Sequence, residues 1–119
     1  MKKGEHLFIG VIAFLAYTYF LSFIVRIPTD GSIFGFFSAL IGSVIPDFLE
    51  PATNWMHRGI CHSKRALKFV TTIFAITTIC GLISFLISTS STFYLISCFL
   101  LGYLAHLLAD ATTEVGLPD

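Results

Sequence analysis

Two residues that could bind a metal ion lie four positions apart near the end of the chain. His106 and Asp110 occur in the segment GYLAHLLADATTEVG. In a helix, residues at i and i+4 project from one face about one turn apart, and such pairs hold a metal ion in many zinc sites. The alternative is a histidine hydrogen-bonded to an aspartate at a membrane interface, and the pair alone does not decide between the two.

The polar segment HRGICHS, residues 57–63, interrupts an otherwise apolar chain. His57 and His62 flank Gly59, which permits a tight turn, so both rings could face one point. Ser63 is placed to cap the helix that follows, and free N–H groups at a helix start attract anions such as phosphate. Arg58 could reinforce that attraction as a bidentate clamp. The segment therefore predicts part of a reactive site.

Two carboxylates and one histidine complete the candidate residues. In the segment IPDFLEP, Pro46 and Pro51 bracket Asp47 and Glu50 and are expected to end a helix there. A carboxylate near the headgroup level favours a cation or an arginine as partner, because an unpartnered charge is costly at that depth. Helix capping is the alternative, although the C-terminal end of a helix disfavours an anion. His6 begins the first apolar run and gains meaning only if the other candidates gather beside it.

Four apolar runs must position these residues, and each approaches the length of a membrane-spanning helix. Phe48 and Leu49 would prolong the second run, which is short. Lys2 and Lys3 resemble the start of a signal peptide, but the first run is long for one and no A-x-A-like cleavage site follows, so we expect a retained helix. The runs extend from Leu7 to Val25, Ser32 to Pro46, Ala66 to Ser88 and Thr92 to Ala109.

Small residues recur at helical spacing on two of these runs and predict close packing of helix backbones in lipid. The general abundance of small residues in membrane helices is the alternative explanation. The two stripes are Gly35, Ser38, Ala39, Gly42 and Ser43 on the second run, and Thr77, Gly81, Ser84 and Ser88 on the third.

The composition agrees with a single membrane-embedded domain over residues 1–119. The chain is 55% hydrophobic and 12% charged, which is more apolar surface than a soluble domain of this size can bury. The fold class predicted is therefore all-α, a polytopic bundle of four transmembrane helices. The formal net charge is zero, which gives no indication of a nucleic-acid partner. Three cysteines provide no paired framework; Cys61 could be a soft zinc ligand, but a packing role is favoured for it.

The charges predict the orientation in the membrane. With four spans, both termini and the middle loop share one side, and six of the seven lysines and arginines lie there, with Arg26 alone opposite. By the positive-inside rule that side is cytoplasmic. Topology by itself explains Lys64, Arg65 and Lys68. All four histidines and every carboxylate except Asp30 fall at the same side, which favours a site there.

Four motifs occur in a fixed order along essentially the whole chain: EH, PD with a following acid, HRG-x-x-HS and GYLxHLLxDxxT…G. Together they resemble the motifs of the YdjM-like family. That family is described as small multi-span membrane-bound metal-dependent hydrolases. Many members have PDxDH where this chain has PDFLE, others have PDxxEP as here, and CHS replaces the commoner THS. Glu114 stands where a proline is frequent. The positions carried over are His6, Asp47, His57, Arg58, Gly59, His62, Ser63, His106, Asp110, Thr113 and Gly116.

A second and fainter resemblance is to zinc-dependent phospholipase C and related nucleases, which use an ordered set of histidines and aspartates around clustered zinc ions. The matching positions are His6, Asp47, His62, His106 and Asp110. The later histidines of that superfamily have no counterpart here. This similarity implies phosphoester chemistry.

The function expected is a cytoplasm-facing, metal-dependent hydrolase that cleaves an ester or phosphoester of a membrane lipid or lipid-linked substrate. The cofactor expected is a divalent ion, zinc first, with manganese or iron also suited to the ligands. Arg58 would stabilise an anionic transition state, and His57 would act as a general acid or orient a ligand. The metal ligands expected are Asp47, His62, His106 and Asp110, with His6 and Glu50 completing a second site.

Three other functions compete with this one. A small metal-ion transporter is disfavoured because transporter sites lie near the bilayer midplane, whereas every candidate here lies near one face. A non-catalytic metal-binding membrane module remains open. A haem protein is disfavoured because no histidine lies deep within a span. Self-association into a homo-oligomer is also expected, because four helices enclose little interior.

Overall fold

A computed structural model describes residues 3–49, 63–88 and 91–111, and nearly all of them are helical. The four predicted helices are confirmed, and each is long and apolar enough to cross a membrane. Within the described ranges there is no strand. The helices are α1 (Lys3–Ser22), α2 (Thr29–Leu49), α3 (Lys64–Ile87) and α4 (Thr92–Ala111).

Helix α1 begins and ends earlier than its apolar run predicts. It starts at Lys3 instead of Leu7, because the polar first turn carries Glu5, a charge that the helix N-terminus favours. It ends at Ser22 instead of Val25, where the Leu21 carbonyl accepts from both Ile24 N (2.9 Å) and Val25 N (3.0 Å) and the chain tightens into a turn. The early start places His6 inside the helix.

Helix α2 begins three residues earlier than its apolar run predicts and ends at Leu49, the extension expected from Phe48 and Leu49, so Pro46 does not end it. The helix begins at Thr29 with Asp30 in its first turn, and Pro46 lies inside it. A proline removes one i→i−4 hydrogen bond, here the one to the Gly42 carbonyl, but the helix continues to Leu49. Burial of the Pro46 side chain among the neighbouring helices is the compensating interaction.

Helices α3 and α4 agree closely with their apolar runs. The Ser63 side chain accepts a hydrogen bond from Ala66 N at 3.1 Å, so the predicted N-cap of α3 is confirmed. Helix α3 ends at Ile87, and the backbone N–H of Ser88 donates to the Ser84 carbonyl. Helix α4 begins at Thr92 as predicted and ends at Ala111, two residues later than expected.

The bundle is built with small and polar side chains inside and large apolar side chains outside. Ser43, Ser97 and Cys98 are fully buried, whereas Phe23 is 72% and Ile87 is 81% exposed. A soluble protein would have the reverse distribution, because exposed apolar surface in water is costly; this surface suits lipid. Helix α4 packs against each of the other three helices and so forms the centre of the bundle.

Close backbone contact between α2 and α4 confirms the packing role predicted for the small-residue stripe on α2. A side chain at Gly42 would overlap the Phe99 carbonyl oxygen, and one at Gly102 would overlap the Ala39 carbonyl oxygen. Gly35 lies against the Tyr94 ring in the same way. On α3, the stripe residues Thr77 and Gly81 are buried. These glycines allow the helix approach that dispersion forces require in lipid.

Hydrogen bonds between side chains join three of the helices at mid-height. The Tyr17 hydroxyl of α1 lies 2.7 Å from Ser97 Oγ on α4 and 3.1 Å from Thr78 Oγ1 on α3. Because Ser97 Oγ donates to the Tyr94 carbonyl, Tyr17 donates to Ser97 and accepts from Thr78. Among the described residues, Cys98 of α4 and Cys80 of α3 are free thiols.

Candidate metal centre

Three of the predicted ligands meet at one end of the bundle. His6 Nε2 lies 3.5 Å from Asp110 Oδ1, and His106 Nε2 lies 3.2 Å from Asp110 Oδ2. The two imidazole rings stack with their centroids 3.7 Å apart and their planes 15° apart. Exposure of the three residues is only 0–4%. The cluster is therefore a buried, polar site in an apolar protein.

Helices α1 and α4 supply the three residues of the cluster. His6 lies in the first turns of α1, and His106 and Asp110 lie in the last turns of α4. The i,i+4 spacing brings the two α4 side chains onto one face, as predicted. Antiparallel packing of α1 and α4 then places the start of one helix beside the end of the other. The structure places His6 directly beside His106 and Asp110, whereas the sequence analysis assigned it to a second site with Glu50; the role of all three as metal ligands stays a prediction.

A backbone carbonyl of α2 fixes the orientation of the His106 ring. His106 Nδ1 lies 2.7 Å from the Ser43 carbonyl oxygen, and because a carbonyl can only accept, Nδ1 must carry the hydrogen. In neutral His106 the lone pair is then on Nε2, which faces Asp110 Oδ2. Two electron-rich atoms at that distance require a proton or a metal cation between them. Metal-binding histidines commonly donate their second N–H to a carbonyl in this way.

Glycines on α1 and α4 bring the Ser43 carbonyl within reach of His106. Gly102 lies one turn before His106 on the same face of α4, and a Cβ there would come within 2.8 Å of Ser43 N. A Cβ at Gly10 of α1 would come within 3.0 Å of Ser43 Cβ. Close approach of three helices around one residue of α2 thus sets the geometry of the cluster. Sequence reasoning did not identify Ser43 as a partner of the site, although its place in the small-residue stripe indicated that it lay at a helix contact.

The cluster could hold a divalent transition metal. One possible ligand atom from each of the three residues lies within 4.8 Å of the other two. Two imidazoles and one carboxylate are donors that suit zinc, iron or manganese.

The remaining predicted site residues cannot be placed in the cluster. Asp47 belongs to α2, but its side chain is not among those that the structure describes. Five other predicted residues lie wholly outside the described ranges: Glu50, His57, Arg58, Cys61 and His62. The roles predicted for these six residues, as metal ligands, proton carrier and anion clamp, stay predictions. Over the ranges that are described, His6, His106 and Asp110 form the one group of three or more such side chains spaced to hold a metal ion.

Comparison with known proteins gives one family. A family model described as YdjM inner membrane protein matches residues 1–118, almost the entire chain. No curated protein and no solved structure matches significantly.

Proposed function

The chain belongs to the YdjM inner membrane protein family, and from this premise we propose that it is a membrane-embedded, metal-dependent hydrolase. The observation that carries the proposal is the buried cluster of His6, His106 and Asp110, with His106 oriented by the Ser43 carbonyl. Ionisable residues are rare within membrane proteins and usually mark functional sites. When bound, a divalent ion supplies acidified water that can attack an ester or phosphoester.

We assign each candidate residue a role in this proposed reaction. His6, His106 and Asp110 would bind the ion, and the Ser43 carbonyl would keep His106 Nε2 directed at it. The second ligand set expected from sequence, Asp47, Glu50 and His62, belongs to the same proposal, with Arg58 binding the anionic part of the substrate and His57 moving a proton. Zinc is the favoured ion.

The position of the cluster indicates the substrate class. The ligands lie at the end of a bundle whose outer surface is apolar, so a molecule held in the bilayer reaches them more readily than a soluble one. We propose an ester or phosphoester of a lipid or lipid-linked molecule as substrate, at the cytoplasmic face. Cysteine labelling tests the orientation: Arg65→Cys should react from the cytoplasm and Asp30→Cys from the opposite side, and the reverse result would overturn it.

A non-catalytic metal-binding module is the second candidate, and the low exposure of the cluster favours it. Structural metal sites are closed, whereas catalytic sites keep an open position. A bound ion would then join α1 to α4 and stabilise the bundle by mass action.

One experiment separates the two candidates. The protein is purified in detergent, its zinc, manganese and iron content is measured, and it is assayed on carboxylester and phosphoester lipids. Asp110→Asn should lose metal and turnover, because it removes the ligand charge at constant size. Asp30→Asn is the matched control: this exposed aspartate lies at the other end of the bundle and accepts from Gly31 N at 2.9 Å, which an asparagine can also do.

The possible results assign the function. Metal-dependent turnover that is lost in Asp110→Asn and kept in Asp30→Asn supports the hydrolase. Tight metal binding without turnover on any lipid supports the metal-binding module. A folded protein that binds no metal near neutral pH overturns both.

A further inference from the structure

The end of the bundle opposite the metal centre carries a single basic residue. Arg26 lies in the connection between α1 and α2 and is exposed. In the sequence, the other six lysines and arginines are at positions 2 and 3 or between positions 58 and 68. Among the described residues no carboxylate pairs with Arg26. A guanidinium at the headgroup level favours an anionic partner.

Two adjoining cavities share this arginine. The first, of about 530 Å³, is lined by Arg26 and by three hydroxyl residues, Thr18, Ser22 and Ser32, together with neighbouring apolar residues. The second, of about 510 Å³, is lined by Arg26 and otherwise by apolar residues, which include Phe85 and Leu86 of α3. Ile24 and Val25 also border both cavities. A polar compartment and an apolar compartment thus meet at one positive charge.

This arrangement matches the two parts of a phospholipid. Arg26 can bind a phosphate through two parallel charge-assisted hydrogen bonds, and the Ser32 hydroxyl can donate another, whereas the Ser22 hydroxyl already donates to the Tyr19 carbonyl. An acyl chain attached to that phosphate can lie along the apolar compartment. Asp30, the carboxylate at this end, is not among the lining residues of either cavity. The lining charge is therefore positive, which favours an anionic lipid over one whose headgroup also carries an ammonium.

We propose that the Arg26 end of the bundle is a binding site for an anionic phospholipid. The phosphate lies against Arg26 in the polar cavity, and one acyl chain lies against Phe85 and Leu86 in the apolar cavity. This site is separate from the metal centre and does not depend on the function proposed for it.

The test compares phosphatidylglycerol with phosphatidylcholine of the same acyl chains, by native mass spectrometry of the whole protein in detergent. Wild type should retain phosphatidylglycerol preferentially, and Arg26→Gln should weaken that binding by roughly tenfold or more. Arg65→Gln is the matched control, because it removes an exposed arginine from the other end, and it should bind as wild type does. Equal binding of the two lipids, or equal loss in both variants, would overturn the proposal.

The acyl part has its own pair of variants. Leu86 and Leu15 are 71% and 58% exposed, but Leu86 alone borders the cavity. Leu86→Ala should weaken phosphatidylglycerol binding by about twofold through lost dispersion contacts, and Leu15→Ala should not. Soluble glycerol phosphate should fail to displace the lipid; displacement by this headgroup alone would overturn the assignment to a lipid. Circular dichroism establishes that each variant is folded.

Discussion

Replacing Gly102 by alanine should damage the metal centre from one turn away. The new Cβ would come within 2.8 Å of Ser43 N and would overlap the Ala39 carbonyl oxygen, both of them backbone atoms that cannot turn aside. Ordinary contact begins at 3.4 Å, so the contact with Ser43 N alone requires α2 and α4 to separate by about 0.6 Å, and the overlap with the Ala39 carbonyl oxygen requires more. A separation of that size would lengthen the hydrogen bond from His106 Nδ1 to the Ser43 carbonyl, now 2.7 Å, beyond the usual limit of about 3.2 Å.

The size of the effect follows from these distances. Overpacking of this kind costs about 1–3 kcal/mol, of which the better helix propensity of alanine returns at most about 1 kcal/mol. Loss of the hydrogen bond that orients a metal-binding histidine lowers metal affinity by about 10–100-fold. Gly102→Ala should therefore melt at a lower temperature and bind zinc more weakly, although it changes none of the three ligands.

Gly81→Ala is the matched control. A Cβ at Gly81 would lie 3.5 Å from Tyr94 N and 3.6 Å from Phe93 Cβ, which is ordinary contact, so no helix needs to move. This variant should be as stable as wild type or more stable, with unchanged zinc affinity. The assays are thermal unfolding in detergent and competition for zinc with a chromophoric chelator. If Gly102→Ala keeps the melting temperature and zinc affinity of Gly81→Ala, the argument from helix approach is wrong.

Three more predictions concern the bundle and its ion. Tyr17→Phe should lower the free energy of unfolding by about 1 kcal/mol, because two interhelical hydrogen bonds are lost. Tyr19→Phe replaces an exposed tyrosine and should change the free energy of unfolding little, so equal effects of the two variants in an unfolding titration would contradict the prediction. Ser63→Ala should destabilise the start of α3 by about 1 kcal/mol, because the N-cap is lost. The backbone amides at the start of α3 should then exchange their hydrogens faster, and an unchanged exchange rate would count against the cap. Zinc at a concentration one hundred times its dissociation constant should stabilise the folded wild-type protein by about 2.7 kcal/mol. The same zinc should not change the melting temperature of His106→Ala, and a shift in that variant would mean that the ion binds elsewhere.

The sequence was sufficient to predict the number of helices and that His6, His106 and Asp110 lie at the same end of the bundle. Long apolar runs identify membrane helices reliably because the bilayer demands internal backbone hydrogen bonds. The pair His106 and Asp110 followed from helical periodicity, and His6 followed from topology, since an even number of spans returns the chain to one side. These inferences depend on spacing and on the bilayer, which a sequence displays directly.

Helix ends and backbone partners could not be predicted in the same way. Apolar runs mark the hydrocarbon thickness but not the polar turns that extend a helix, so the starts of α1 and α2 were misplaced. Pro46 was expected to end α2, but tertiary packing around it outweighs one lost hydrogen bond. The Ser43 carbonyl has no sequence signature, because every residue has a carbonyl and only the helix approach at Gly102 directs this one to a ligand.

The contact between His6, near the start of α1, and Asp110, near the end of α4, has a consequence for biosynthesis. His6 is synthesised at the start of α1, whereas Asp110 follows only when α4 is nearly complete. A chain interrupted before α4 lacks both His106 and Asp110, so it loses two of the three candidate ligands at once. An ion that required all three side chains would therefore bind only after α4 had joined the bundle, and its capture would report that the first and fourth helices had met.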